Sequence, residues 1–285
     1  MLIYLDAKDL INIFERSHPC SEDQLHQLLQ KGGYKLVFSL TTIMEISEPL
    51  LHSGAKTNVM WLLNRLEKLP HTFIHEANIP RLELVEAVRA FSLGEEYGVI
   101  QPFVNRFDDT VDLNAAPPTK IYLNYPLAET VWDLYTFGEL KGLDSYAKKL
   151  RPTFAADRAL DPKPSLKTNF VKATQLNLNS NKVTGPTEDV ATFANWIYSD
   201  PSRCPSIRIG YEVWHKMVRN VADEPEDSDM EDFQHIGCLP YVDLMTLDRR
   251  MCGYVSQAAA TLTLNYSEKV YRNSEQLFNR LDVSI

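Results

Sequence analysis

The sequence predicts an α/β fold built on a parallel sheet with helices on both faces. Two observations carry that prediction. Short apolar runs stop abruptly at a polar residue and pass into helical spacing. Such strand–helix alternation recurs at both ends of the chain, which is the pattern of a sheet covered on both sides.

The first run is Leu2, Ile3, Tyr4 and Leu5, ending at Asp6, with Leu10, Ile11 and Phe14 following at helical spacing. A buried strand turning directly into a helix is expected there, with Asp6 at the strand's carboxyl end, the end where open α/β sheets bind ligands. Gly32-Gly33 breaks the chain before Lys35 to Ser39, KLVFS, a second strand. Helix is expected over Thr41 to Leu51, opened by Ser39, Thr41 or Thr42. Val59, Leu62, Leu63 and Leu66 make an amphipathic helix ended by Pro70, and Thr72 to His75 reads as a third strand.

The alternation is lost after about residue 80. Helices are expected around Leu84, Val88 and Phe91, over Leu127 to Leu140, and through Ile207 to Val221 with Tyr211, Trp214 and Val218 on one face. Residues 94–127 read as irregular, and Asp157 to Thr187, with PKPSLK, NLNSNK and GPT, as loop-rich. Residues 80–226 are therefore expected to form a mostly helical insertion in a discontinuous core of 1–79 and 227–285. Seven acids and no base occupy residues 222–232. Asp223 to Asp227 read as a solvated linker. Ser228 and Glu231 form an S-x-x-E capping box that should open a helix with Asp232 in its first turn. Val242 to Thr246 reads as a fourth strand, followed by Asp248 and a helix through Met251, Val255 and Ala258. Lys269 to Arg272 reads as a fifth strand, before a closing helix with Leu277, Phe278 and Leu281.

Composition narrows the function classes. The 285 residues are 44% apolar, enough for a sizeable core. The net charge of -9 argues against a passive nucleic-acid coat but not against an enzyme that meets phosphates through divalent metal. No apolar run approaches the ~20 residues of a membrane span. The N-terminus lacks a basic leader, so mature, cytoplasmic sequence is expected. Cys20, Cys204, Cys238 and Cys252 form no CxxC pair or zinc spacing and are expected as reduced, mostly buried thiols.

Four acids occupy comparable places. Asp6 ends strand one, Glu45 lies early on the helix after strand two, Asp232 early on the helix before strand four, and Asp248 just after that strand. Each has a local explanation: Asp6 and Asp248 as helix caps, Glu45 completing a capping box with Thr42, Asp232 favoured by its helix dipole. With strand one central, all four would converge on one rim. Four independent caps have no reason to do so. The stretch DFQHIGCLPYVDLMTLD also places Asp243 beside the fourth strand, and His235 three residues after Asp232. His235 is a candidate hydrogen-bonding partner of a ligand. Asp243 would orient a metal ligand or a backbone turn. Lys8 is placed to contact a phosphate or to crowd a metal. Arg249 and Arg250 would hold phosphate or pair with nearby acids, the plainer reading.

These residues carry a resemblance. The opening LIYLDAKDLI, the segment LVFSLTTIMEI, Asp232-x-x-His235 followed by YVDLMTLD, and the ending KVYRNSEQLFNRL resemble the PIN-domain ribonucleases, the broad class that includes toxin ribonucleases of toxin–antitoxin pairs. The resemblance covers about residues 1–75 and 228–281. It implies a PIN-like (Rossmann-like) parallel sheet of order 3-2-1-4-5 and an acidic pocket for Mg²⁺ or Mn²⁺ held by Asp6, Glu45, Asp232 and Asp248. The implied activity is metal-dependent hydrolysis of RNA phosphodiester bonds by an activated water, with no covalent nucleophile from the protein. DNA remains a possible substrate, and an antitoxin or a second copy a possible partner. Two other readings stay open: an inactive PIN-like binding or regulatory module, and a phosphatase with an Asp nucleophile after strand one. The latter wants a DxD pattern where this chain has Lys8.

Overall fold

A computed structural model of the chain describes residues 1–15, 20–51, 56–110, 126–136, 152, 155–159, 166–186, 189–224 and 229–281. The order of elements is β1 (Leu2–Tyr4), α1 (Ala7–Phe14), α2 (Glu22–Gly32), β2 (Lys35–Ser39), α3 (Leu40–Ser47), α4 (Lys56–Leu66) and β3 (His71–Ile74). Then come α5 (Ile79–Leu93), β4 (Phe103–Val104), α6 (Leu127–Thr136), α7 (Leu166–Ser180), α8 (Val190–Tyr198) and α9 (Pro205–Arg219). The chain closes with α10 (Asp229–Cys238), β5 (Leu244–Thr246), α11 (Arg249–Leu262), β6 (Val270–Tyr271) and α12 (Ser274–Arg280).

The strands form one sheet in the order β4-β3-β2-β1-β5-β6. Every neighbouring pair is parallel except β3 and β4, which run antiparallel at the edge. Ile3 lies opposite Leu36 on one side and Leu244 on the other, and Tyr4 opposite Val37 and Met245. The runs are continuously apolar because successive residues enter different layers, both of them covered. Ile3, Leu5, Leu36, Phe38 and Phe73 pack in the layer of α1, α2, α4 and α6. Tyr4, Val37, Ile74 and Met245 pack in the layer of α9, α10 and α11.

Segments between residues 80 and 226 reach both layers. Leu127, Val131 and Leu134 of α6 join the first, and Ile209, Val213 and Met217 of α9 join the second. A third cluster, built on Leu84, Ala87, Phe170, Leu178, Phe193 and Ile197, unites α5, α7 and α8.

Three expectations change. Asp157 to Thr187 is not all loop: α7 spans Leu166–Ser180 within it. Its Pro and Gly residues lie outside the helix, and Phe170, Thr174 and Leu178, each four apart, are buried. Helix α8 was not anticipated, although Val190, Phe193, Ala194 and Ile197 have helical spacing and the Asp189 side chain accepts from Thr192 N at 3.3 Å. The two-residue strand β4 also had no signature of its own. Smaller differences lie at ends: α3 stops at Ser47 and continues as a 3₁₀ turn over Glu48–Leu51. The expected helical residues 137–140, Pro117-Pro118 and the Ser228 half of the capping box lie outside the described residues. All four cysteines are buried, and none is in a disulfide. Among the described residues no helix is long and apolar enough to cross a membrane.

Candidate active site

The site grows from the carboxyl ends of the parallel strands. After β1 the chain turns at Asp6, whose Oδ1 accepts from Lys8 N at 2.8 Å and caps α1. The backbone N of Asp6 donates to Thr246 Oγ1 at 2.8 Å, tying it to the last residue of β5. Two residues on, Asp248 caps α11, its Oδ1 accepting from Met251 N at 2.5 Å. Each of these two acids thus spends one oxygen on a helix N-terminus and keeps the other. Ser39 caps α3 by accepting from Thr42 N at 3.1 Å. Glu45 lies beyond the first turn of that helix, so the expected capping box between Thr42 and Glu45 is not formed. Glu45 faces His235 of α10 instead, at 3.2 and 3.1 Å from Nε2 to its two oxygens. Asp232 sits in the first turn of α10 and is 8% exposed.

The charges of Asp248, Asp6 and Glu45 bear on Asp232, and that of Glu45 on Asp6. Burial pushes the Asp232 carboxyl up, and Asp248, Asp6 and Glu45 push it further, to about 8 against the opposing pull of His235. Asp6 is raised to about 6, chiefly by burial and then by Glu45, with His235 opposing. Burial alone would lower the His235 imidazole, but Glu45, Asp6 and Glu76 outweigh it and carry it up to about 9. Carboxylates forced together in a poorly solvated place hold protons or a cation. As the side chains stand, no three His, Cys, Asp or Glu among the described residues form a group that could hold a metal ion.

Of the secondary candidates, His235 belongs to the site. Its Nδ1 lies 2.5 Å from the hydroxyl of Tyr4. Lys8 and Arg249 are exposed beside Asp6 and Asp248. Asp243 does not join them: its Oδ2 accepts from Leu2 N at 2.7 Å and its N donates to Leu2 O at 2.9 Å. Leu2 begins β1, so Asp243 stands at the opposite rim and supports a backbone turn. The acidic linker changes at its first residue. Asp223 is half-buried and ion-paired to Arg250 of α11, which further binds the fully buried Asp229 of α10, whereas Glu224 is exposed and residues 225–227 lie outside the described residues.

Two contributors escaped sequence reasoning. Glu76, directly after β3 and its flanking His75, is 7% exposed, with Oε1 accepting from Thr41 N at 2.7 Å and from Thr41 Oγ1 at 2.6 Å. An acid just past a strand's carboxyl end is the signal that singled out Asp6, and it would have found Glu76. Tyr4 had no such signal, because an aromatic inside an apolar run reads as packing. Comparison of the chain with family models, with curated proteins and with solved structures found no significant match.

Proposed function

We propose that the chain is a PIN-like, Mg²⁺- or Mn²⁺-dependent endoribonuclease whose metal is held by Asp6, Glu45, Asp232 and Asp248. The observation that carries this reading is that Asp6 and Asp248, at the carboxyl ends of the adjacent strands β1 and β5, each cap a helix through one oxygen and leave the other open, with Asp232 near enough for their charges to raise its carboxyl. The parallel run β3-β2-β1-β5-β6, with β1 central, supports it, because adjacent β1 and β5 then deliver Asp6 and Asp248 to one rim.

The donor set fits a hard divalent cation, being all carboxylate oxygen. Mg²⁺ is usually held by only one or two protein carboxylates, with waters and substrate phosphate completing the shell, so a ready three-ligand group is not required. When bound, the ion supplies charge neutralisation at the scissile phosphate and activation of the attacking water. The chain does the rest. Asp232, Asp6 and Asp248 offer oxygens not used by backbone caps. The Thr246 hydroxyl fixes the backbone of Asp6. Lys8 and Arg249 stand exposed at the same rim to meet flanking phosphates.

The second reading is a PIN-like nucleic-acid-binding or regulatory module without turnover. It is favoured by Glu45, both of whose oxygens are engaged by His235. Cleavage of labelled single-stranded RNA in Mg²⁺, Mn²⁺ or EDTA, with an Asp6→Ala protein alongside, separates the two. Metal-dependent cutting that the variant lacks supports the nuclease. Binding without cutting, for RNA and for single-stranded and flapped DNA, supports the module.

A further inference from the structure

We propose that His235, backed by the hydroxyl of Tyr4, is a positioning residue that holds the Glu45 carboxylate at the acidic rim. The inference rests on the metal-site reading above and adds residues to it that touch neither metal nor substrate.

Glu45 needs an anchor. Its side chain has three torsions, is 30% exposed, and lies near Asp6 and Asp232, whose charges repel it. Without a counterpart it would swing into solvent. His235 supplies that counterpart from the facing helix α10 and is itself 0% exposed. Whether the ring is neutral with its proton on Nε2 or an imidazolium, an Nε2–H donates to Glu45. The near-equal distances of 3.2 and 3.1 Å let the imidazole keep one oxygen while the other turns to a cation. Ligating carboxylates and imidazoles are commonly fixed by such outer partners.

His235 is itself held from the other side. Tyr4 is 0% exposed and locked within β1 between Val37 and Met245. Its hydroxyl lies 2.5 Å from His235 Nδ1 and 2.6 Å from Ser39 Oγ, and accepts from Thr42 Oγ1 at 2.8 Å. The rings meet edge to face, with centroids 5.5 Å apart. Ser39 and Thr42 are the cap and first turn of α3, the helix that carries Glu45. The chain of contacts therefore closes on itself: α3 grips Tyr4, Tyr4 orients His235, and His235 returns to Glu45 on α3.

The test is Mn²⁺ binding by titration calorimetry, with melting temperature and near-ultraviolet circular dichroism as folding controls. The proteins are wild type, His235→Gln, His235→Leu and Tyr4→Phe. Gln keeps an N–H donor within reach of Glu45, whereas Leu fills the space without one. Outer-partner losses weaken metal binding by about 10- to 100-fold, so His235→Leu is expected to fall in that range. His235→Gln should stay within about threefold of wild type, and Tyr4→Phe between them. In cleavage, His235→Leu and Tyr4→Phe should lower kcat and leave KM for RNA unchanged. Wild-type Mn²⁺ affinity in a folded His235→Leu protein would overturn the inference, as would equal weakness of the Gln and Leu variants. Should His235→Leu not fold, unchanged affinity in Tyr4→Phe overturns it. Absence of Mn²⁺ binding by the wild type would instead remove the metal-site reading, and this inference with it.

Discussion

Replacing Asp232 by Asn should make the metal-free protein more stable, and by an amount that depends on pH. The Asp232 carboxyl is raised from 3.8 to about 8 in the folded state. Such a group favours folding most below pH 3.8, where it is protonated in both states, and loses that contribution progressively as the pH rises to about 8. At ~1.4 kcal/mol for each tenfold change in proton affinity, ionising it within the fold costs at most roughly 5–6 kcal/mol. Asn carries no charge, so the variant escapes that cost. Part of the gain is given back, because an amide must find new hydrogen bonds in the same place. A net gain of about 3 kcal/mol at pH 8.5 and about 1 kcal/mol at pH 5 is therefore expected in EDTA. Urea denaturation followed by circular dichroism at the two pH values measures it. Adding Mn²⁺ should then stabilise the wild type more than the variant, since an ion bound only to the native state raises stability by mass action. A variant no more stable than wild type at pH 8.5, or a gap that does not change with pH, would refute the claim that burial and neighbouring carboxylates burden Asp232.

Other perturbations probe the frame around the site. Glu83 is fully buried on α5 and accepts from Ser206 N at 2.7 Å, Ile207 N at 3.0 Å and the Tyr241 hydroxyl, so it caps α9 from outside. Glu83→Ala should cost about 3–4 kcal/mol by urea denaturation, because two backbone donors and a hydroxyl lose their acceptor; a loss below about 1 kcal/mol would contradict that role. Arg250→Ala removes the guanidinium that pairs with both Asp223 and the fully buried Asp229 and should lower stability by about 2 kcal/mol in the same assay. Asp243→Ala should lower stability by about 1 kcal/mol, from its bond to Leu2 N, and leave metal-dependent cleavage within about twofold. A large fall in cleavage with that variant would return Asp243 to the active rim.

Much of the frame was legible in the chain. The runs LIYL and KLVFS declared β1 and β2, because residues that enter two buried layers alternately must all be apolar. The spacing of Val59, Leu62, Leu63 and Leu66 declared α4, and the position of Asp6, Asp232 and Asp248 at element ends followed from those boundaries. Helix α7 was hidden because Asn, Pro and Gly crowd its sequence neighbourhood, and only burial of Phe170, Thr174 and Leu178 reveals its inner face. Strand β4 has two residues and is held by its pairing with Phe73 and Ile74 on β3, information that lies some thirty residues upstream.

What the sequence determined by itself was local: which segments extend, which coil into helices, and which acids stand at their ends. Periodicity and capping act over a few residues, so the chain states them directly. The tertiary structure decided which of those acids meet. It put Asp248, Asp6 and Glu45 close enough for their charges to bear on Asp232, sent Asp243 to the opposite rim, and set the Tyr4 hydroxyl against His235. Proton affinities and hydrogen bonds depend on distances through space between residues as far apart in sequence as Tyr4 and His235, and only the packing of α3 and α10 against β1 sets those distances.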